Sequence, residues 1–326
     1  MSVLSRNLML CAASIMSCFI AAEILARILV YRQTPTGMIF ADDIVYSYAP
    51  HAQVGDIVMN DIGCIGDDVK QPKRTDELRV LLLGESTSFS VQYVNSVRER
   101  LKQVLPERPV VVFSCGRPRY TSFVNRINFE KHLLQYHPDA IGLYMGINDN
   151  IYNSFPWLTD SPSIGFFDWK SGRQLLTWAL FKHYLLEKHL WSRPGFGVND
   201  LRSPGIVRTN LEQMIATAAT KQIKVVLSTF AVALPTEDAN LSTHVHDEEP
   251  IMEHFWGKVD STLLGVTAHN ATLAAVATAR ALPLVDVSSA IPHDGRYFVD
   301  ICHLTDAGNR ILGSKIADGV ISSISQ

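Results

Sequence analysis

Three features predict a three-layer α/β/α sandwich around a central parallel sheet of about five strands, preceded by an N-terminal transmembrane helix. Short apolar runs recur between residues 79 and 287, helix-length stretches separate them, and the first thirty residues carry almost no charge. Strand alternating with helix implies crossover connections, and so a layered α/β domain.

The N-terminal element comes first. Leu8 to Ala22 is uncharged, and beyond Glu23 and Arg27 the apolar residues continue to Val30. At 1.5 Å per residue this makes about 34 Å of helix, enough to cross a bilayer. Glu23 and Arg27 are four apart on one helical face, so they can pair near the headgroups. A cleaved signal peptide with Arg6 as its basic region is the competing reading, and a buried helix of a soluble protein a third. Phe19 and Ile20 stand where a cleavage site wants small residues, so an uncleaved anchor is preferred.

Tyr31 to Arg74 is turn-rich and without sustained periodicity, which suits a stalk and an entry loop. The runs Arg79 to Leu83, Val110 to Ser114, Ala140 to Met145, Lys224 to Phe230 and Leu282 to Val287 read as buried parallel strands. Helices are expected over Val91 to Leu105, Phe123 to Tyr136, Thr209 to Ala219 and Trp256 to Ala281. A last one is capped by Thr305 or Asp306 and carries Ile311, Leu312, Ile316 and Val320. The division is then an anchor over 1–32, a stalk with entry loops over 33–75, and a catalytic domain over 76–326.

Residues 151–205 break the rhythm with nine aromatic residues, from Phe155 to Trp191. A structureless loop of that length is unusual, so a helix is expected around Gln174 to His189. Packing on the sheet edge is the simpler role, and a cap over an apolar or sugar-binding cleft the functional one.

Of 326 residues 47% are hydrophobic, and the net charge of -3 comes without a run of Lys and Arg, which disfavours nucleic acid as a partner. Five cysteines, two of them (Cys11 and Cys18) in the apolar segment, make no disulfide framework. One bridge among Cys64, Cys115 and Cys302 stays open, with small buried residues the preferred reading. His244, His246, Asp247 and His254 suggest a metal cluster, but their polar surroundings favour a solvated loop. No Gly-Lys-Ser phosphate loop or Cys-x-x-Cys pair is present, so neither cofactor nor metal is expected.

Chemistry is expected beyond the carboxyl ends of the strands. After the first run comes Gly84-Glu85-Ser86-Thr87-Ser88, a turn that exposes a hydroxyl and backbone N–H groups. After the third comes Gly146-Ile147-Asn148-Asp149, and near the C-terminus stands Asp300-Ile301-Cys302-His303. A serine hydroxyl is a poor nucleophile at neutral pH and needs a base, and an acid three residues from a histidine can orient it. Taken singly, the plainer readings are preferred: Ser86 as a helix cap, Asn148 as a turn residue and His303 as a surface histidine.

In this order and at these strand ends, the motifs resemble the SGNH, or GDSL-type, esterase and lipase family over about Asn60 to Val320. The resemblance implies an SGNH-hydrolase, flavodoxin-like fold. It also implies Ser86 as nucleophile, His303 as general base and then acid, and Asp300 as the carboxylate orienting His303. The oxyanion donors would be the Ser86 N–H, a backbone N–H within Cys115 to Ser122, and the Asn148 side chain. Two positions depart from the family pattern. Glu85 stands where Asp is usual, and Arg119 where the oxyanion glycine is, with Gly116 matching the earlier glycine. An arginine there offers its N–H provided the backbone does not require φ > 0; it also adds a cation.

The expected protein is thus a membrane-tethered serine esterase acting on O-acyl groups of a small molecule, lipid or glycan, with its domain outside the cytoplasm. O-acyl transfer to a cell-surface polysaccharide is one alternative. A non-catalytic binding or assembly protein that keeps the fold is the other.

Overall fold

A computed structural model describes residues 3–33, 37–39, 43–44, 46–154, 177, 196–252, 256 and 258–325. Helix α1 (Val3–Gln33) matches the expected N-terminal element. Ser5–Ile28, 24 residues of mean hydropathy 2.1, is long and apolar enough to cross a membrane, as an anchor or as a signal sequence. The Arg27 Nε donates to Glu23 Oε1 at 2.7 Å, the pairing anticipated from their spacing.

Among the described residues the main sheet has six strands: β1 (Ile65–Gly66), β2 (Leu78–Gly84), β3 (Val110–Ser114), β4 (Ala140–Tyr144), β5 (Lys224–Ser228) and β6 (Leu284–Val285). Their spatial order is β6-β5-β4-β2-β3-β1. β2 to β6 are the five expected strands and all pair in parallel. β1 is the addition, an antiparallel edge with Ile65 opposite Ser114. At two residues it is too short to leave a periodic signal in the sequence.

Strand residues alternate between two cores, because successive side chains leave opposite faces of a sheet. Leu78, Val80 and Leu82 join one cluster, with Tyr93, Val97 and Leu101 of α2 (Val91–Val104). Leu81 and Leu83 join the other, with Phe129 following α3 (Ser122–Asn128) and Leu211 and Met214 of α4 (Ser203–Thr220).

The polar stretch expected as a solvated loop is instead α5 (Ala239–Met252). The Asp238 carboxylate accepts from the N–H groups of Asn240 and Leu241 at 3.0 and 3.2 Å, which caps it. Among its described side chains, Leu241 and Val245, four apart, are the buried ones. His246, Asp247 and His254 have side chains outside the described residues, so the metal alternative is left where it stood. The helix expected over Gln174 to His189 also lies outside the described residues, Thr177 apart. α6 (Val259–Arg280) and α7 (Asp306–Ile324) are as expected, and Thr305 Oγ1 accepts from the Gly308 N–H to cap the latter. Leu273 and Val276 of α6 join the second cluster, and Leu312, Ile316 and Val320 of α7 the first.

The chain runs from β2 to β3 on one side, then returns past β2 to β4 on the other. Such a reversal of strand order opens a crevice beyond the carboxyl ends of β2 and β4. The two connections that leave there begin at Glu85 and Met145.

Candidate active site

Ser86 opens a single helical turn, Ser86–Ser88, immediately after β2. Gly84 before it has no room for a side chain: a Cβ would lie 2.1 Å from both Ser88 Oγ and the Tyr144 carbonyl oxygen. Ser88 spends its own hydroxyl on that carbonyl at 2.9 Å, holding the turn over β4. Ser86 is left half-exposed at the rim while Glu85, Thr87 and Ser88 are buried around it.

The C-terminal turn brings its partners from 217 residues away. His303 Nε2 lies 2.9 Å from Ser86 Oγ, and His303 Nδ1 lies 2.6 Å from Asp300 Oδ2. The other carboxylate oxygen of Asp300 accepts the N–H groups of Cys302 and His303 at 2.8 and 2.7 Å. Burial works to raise the Asp300 pKa. The hydrogen bond and charge of His303, with these two N–H donors, prevail and bring it down to about 2. The carboxylate therefore stays ionised, and its acceptor oxygen selects the Nδ1–H tautomer of His303, leaving Nε2 to accept from Ser86. This hydrogen-bonded chain is an arrangement from which a serine proton can be removed.

Asn148 is 8% exposed and stands across the crevice. One hydrogen of its side-chain amide is held by the Tyr120 carbonyl at 3.1 Å, leaving the second to be directed elsewhere. Its backbone is fixed by Glu85: Oε1 accepts from Gly146 and Ile147 at 2.9 and 3.0 Å, and Oε2 from Asn148 at 2.9 Å. Burial raises the pKa of Glu85 to about 8, with the charge of Asp149 adding to it and the three N–H donors opposing. The position that departs from the family pattern is therefore the brace between the Ser86 turn and the Asn148 loop. In the sequence Glu85 was marked only as a departure from the family pattern; the signal for a brace was a carboxylate between a strand end and a serine.

The loop from Cys115 to Ser122 forms a third wall. Gly116 lets it close on the Ser86 turn, since a Cβ there would be 2.7 Å from Ser88 Cβ. Arg119 takes φ +67°, the left-handed region where a glycine sits at no steric cost, so the condition set for it above is not met. The direction of an N–H follows the backbone, however, and this backbone has kept the conformation a glycine would favour. Holding a non-glycine residue there costs roughly 1–2 kcal/mol. Ser122 ends the loop against Asp149, donating through both N–H and hydroxyl, the latter at 2.7 Å.

Three supports of this wall were not legible. Cys64 and Cys115 are joined as a disulfide, where the preferred reading had them as small buried residues. Arg117, also buried, donates to the Gly63 carbonyl at 2.7 Å and lies 5.0 Å over the Tyr48 ring. Tyr46 donates to Pro118 at 3.1 Å and accepts from Tyr120. Residues 46 to 66, expected as stalk and entry loop, thus buttress the loop that carries Arg119. Behind the Asn148 loop, His269 of α6 is 1% exposed against Gly146, and burial lowers its pKa to about 4.

Fold and comparison together define an ester-bond hydrolase. Residues 82–311 match the model of the GDSL-like lipase/acylhydrolase family, and the chain belongs to that family. Solved structures similar to it include a GDSL-like lipase from Bacteroides thetaiotaomicron VPI-5482, 15% identical, with 78% of this chain and 92% of that one covered at a TM-score of 0.47. Another is Axe2, an acetylxylan esterase from Geobacillus stearothermophilus, also 15% identical, with 77% and 96% covered at a TM-score of 0.48. A search of curated proteins finds no match.

Proposed function

We propose that this ester hydrolase is a serine esterase in which Ser86 is the nucleophile, His303 the general base and then acid, and Asp300 the group that orients and stabilises His303. The observation that carries the reading is the continuous hydrogen-bonded chain, 2.9 Å from Ser86 to His303 and 2.6 Å from His303 to Asp300. Ser86 Oγ attacks the ester carbonyl as its proton passes to His303 Nε2, and that proton then goes to the leaving alcohol. Water deprotonated by the same nitrogen releases the acid from the acyl-serine. The Ser86 and Arg119 N–H groups and the Asn148 side-chain amide serve as oxyanion donors.

The substrate is an O-acyl group on a carbohydrate or lipid. In this division, residues 1–32 anchor a hydrolase domain over 76–326, with 33–75 as stalk and entry loops, of which 46–66 pack against the domain, and an aromatic insertion at 151–205. The domain lies outside the cytoplasm, a placement supported by the Cys64–Cys115 disulfide, since such bridges persist in oxidising compartments.

The test uses the full chain in detergent. A fluorophosphonate should label the wild type and not Ser86→Ala; a folded wild type that takes no label and turns over no ester would sink the proposal. An acyl-length series of p-nitrophenyl esters, run beside acetylated sugars, then reports the acyl group.

A further inference from the structure

Cys302 is a thiol that the esterase mechanism does not use, yet it lies between the two residues that support the nucleophile. It is fully buried and outside any disulfide, and its Sγ is 3.7 Å from His303 Nδ1. One donor atom each from Asp300, Cys302 and His303 lie within 4.8 Å of one another. The set is carboxylate, thiolate and imidazole, the ligands that soft and borderline divalent cations take.

The spacing supports the chemistry. With Zn–S near 2.3 Å and Zn–N near 2.0–2.1 Å, a tetrahedral ion holds its sulfur and nitrogen ligands about 3.5 Å apart. The observed 3.7 Å between Sγ and Nδ1 is close to that edge. A carboxylate oxygen and a nitrogen on the same ion would be about 3.3 Å apart, so Asp300 Oδ2 has to retreat from its present 2.6 Å. The His303 side chain is 39% exposed and that of Asp300 19%, so an ion can approach from the substrate side.

We infer that Asp300, Cys302 and His303 form an inhibitory site for a thiophilic divalent cation of the Zn²⁺ or Cd²⁺ class. The ion bonds to the Cys302 sulfur as the thiol proton leaves to solvent, and to His303 Nδ1 and an Asp300 oxygen. A neutral imidazole bound through Nδ1 carries its proton on Nε2, so the ring proton moves from one nitrogen to the other and one proton in all is released. Nε2 then donates towards Ser86 instead of accepting from it. Inhibition thus comes from the tautomer, with the serine left in place.

The inference rests on the proposed catalytic roles for its effect on activity, but binding is read separately. In full-length protein with Cys11 and Cys18 replaced by serine, Cd²⁺ should produce a thiolate charge-transfer absorption that Cys302→Ala and Cys302→Ser both lose. Zn²⁺ should inhibit ester turnover reversibly by EDTA. Its inhibitory concentration should rise at least tenfold in either Cys302 variant, with metal-free turnover kept. The proposal is overturned by absence of the band in the Cys11/Cys18-replaced protein, which needs no Cys302 variant to fold, or by equal Zn²⁺ sensitivity with and without Cys302. A band without any metal-free esterase activity would support the site and count against the catalytic reading alone.

Discussion

Glu85 and Asn148 are tied by a buried hydrogen bond, Oε2 accepting the Asn148 N–H at 2.9 Å, while Oε1 holds the two preceding N–H groups. One side chain therefore sets the distance between the Ser86 turn and the Asn148 amide. Glu85→Gln puts an N–H₂ where an acceptor stood, leaving at least one buried donor without a partner. Such a group costs about 1–3 kcal/mol of stability. With Asn148 as the proposed oxyanion donor, its displacement should lower turnover about 10²-fold, with KM changing less. Glu85→Asp keeps two acceptors at shorter reach and should be milder on both counts. Melting curves with kcat and KM for the two variants check this; equal damage from both would argue against the brace.

Ser86 and His303 act as a unit in the proposed mechanism, so their losses should not add. Ser86→Ala and His303→Ala should each reduce kcat by several orders of magnitude, and the double variant should be no worse than either. Asp300→Asn should cost about 10⁴-fold by favouring the wrong tautomer. Additive losses in the double variant would mean that the two residues work independently.

The acid side of the stability profile follows from Asp300. Its folded pKa of about 2 lies below the ordinary 3.8, so its contribution is complete above the ordinary value and disappears as pH falls from there towards 2. A difference of that size corresponds to about 2 kcal/mol. The melting-temperature gap between wild type and Asp300→Asn should therefore be open at pH 6 and close progressively below about pH 4. A gap independent of pH would show that the carboxylate charge contributes nothing to the fold.

The fold was legible where packing imposes a period. Buried strands such as Leu78–Gly84 are largely apolar runs, and the Ser86 and Asn148 motifs stand just beyond the ends of two of them, while Asp300–His303 is marked by its own acid-to-histidine spacing. Supports that depend on long-range pairing were not legible. Cys64 and Cys115 are 51 residues apart with nothing in their neighbourhoods to mark a bond, and β1 is two residues long. The bracing role of Glu85 left no sequence mark because its partners are backbone N–H groups more than sixty positions on. α5 was missed although its signals were present, an Asp cap followed by Leu241 and Val245, because the polar residues between them were taken as a loop.

The disulfide closes a long loop, and chain entropy for a separation of 51 residues gives a stabilisation of about 4 kcal/mol at 25 °C. Replacing both Cys64 and Cys115 by serine should lower the denaturation free energy by up to this amount. Because Cys115 begins the wall that carries Arg119, turnover should also fall before the domain unfolds. Titration with denaturant, followed by activity and by far-UV circular dichroism, separates the two. Loss of activity and structure at the same midpoint would mean that the bridge has no local effect on the wall.

Arg119 allows the backbone to be tested apart from the side chain. Its φ of +67° places the peptide as a glycine would place it, and the arginine pays for that with steric strain. Arg119→Gly removes roughly 1–2 kcal/mol of left-handed strain but adds about 0.5–1 kcal/mol of unfolded-chain entropy, so stability should change little. If the N–H is an oxyanion donor, both Arg119→Gly and Arg119→Ala should hold kcat on p-nitrophenyl acetate within about tenfold of wild type, because both keep that donor. Arg119→Pro has no N–H and cannot reach positive φ. It should lose the 10²- to 10³-fold that a missing oxyanion donor typically costs, about 2.7–4 kcal/mol. Near-UV circular dichroism on the proline variant distinguishes a lost donor from a collapsed loop. A large loss in Arg119→Gly would instead assign the role to the guanidinium, and the neutral ester would then be a poor stand-in for the natural substrate.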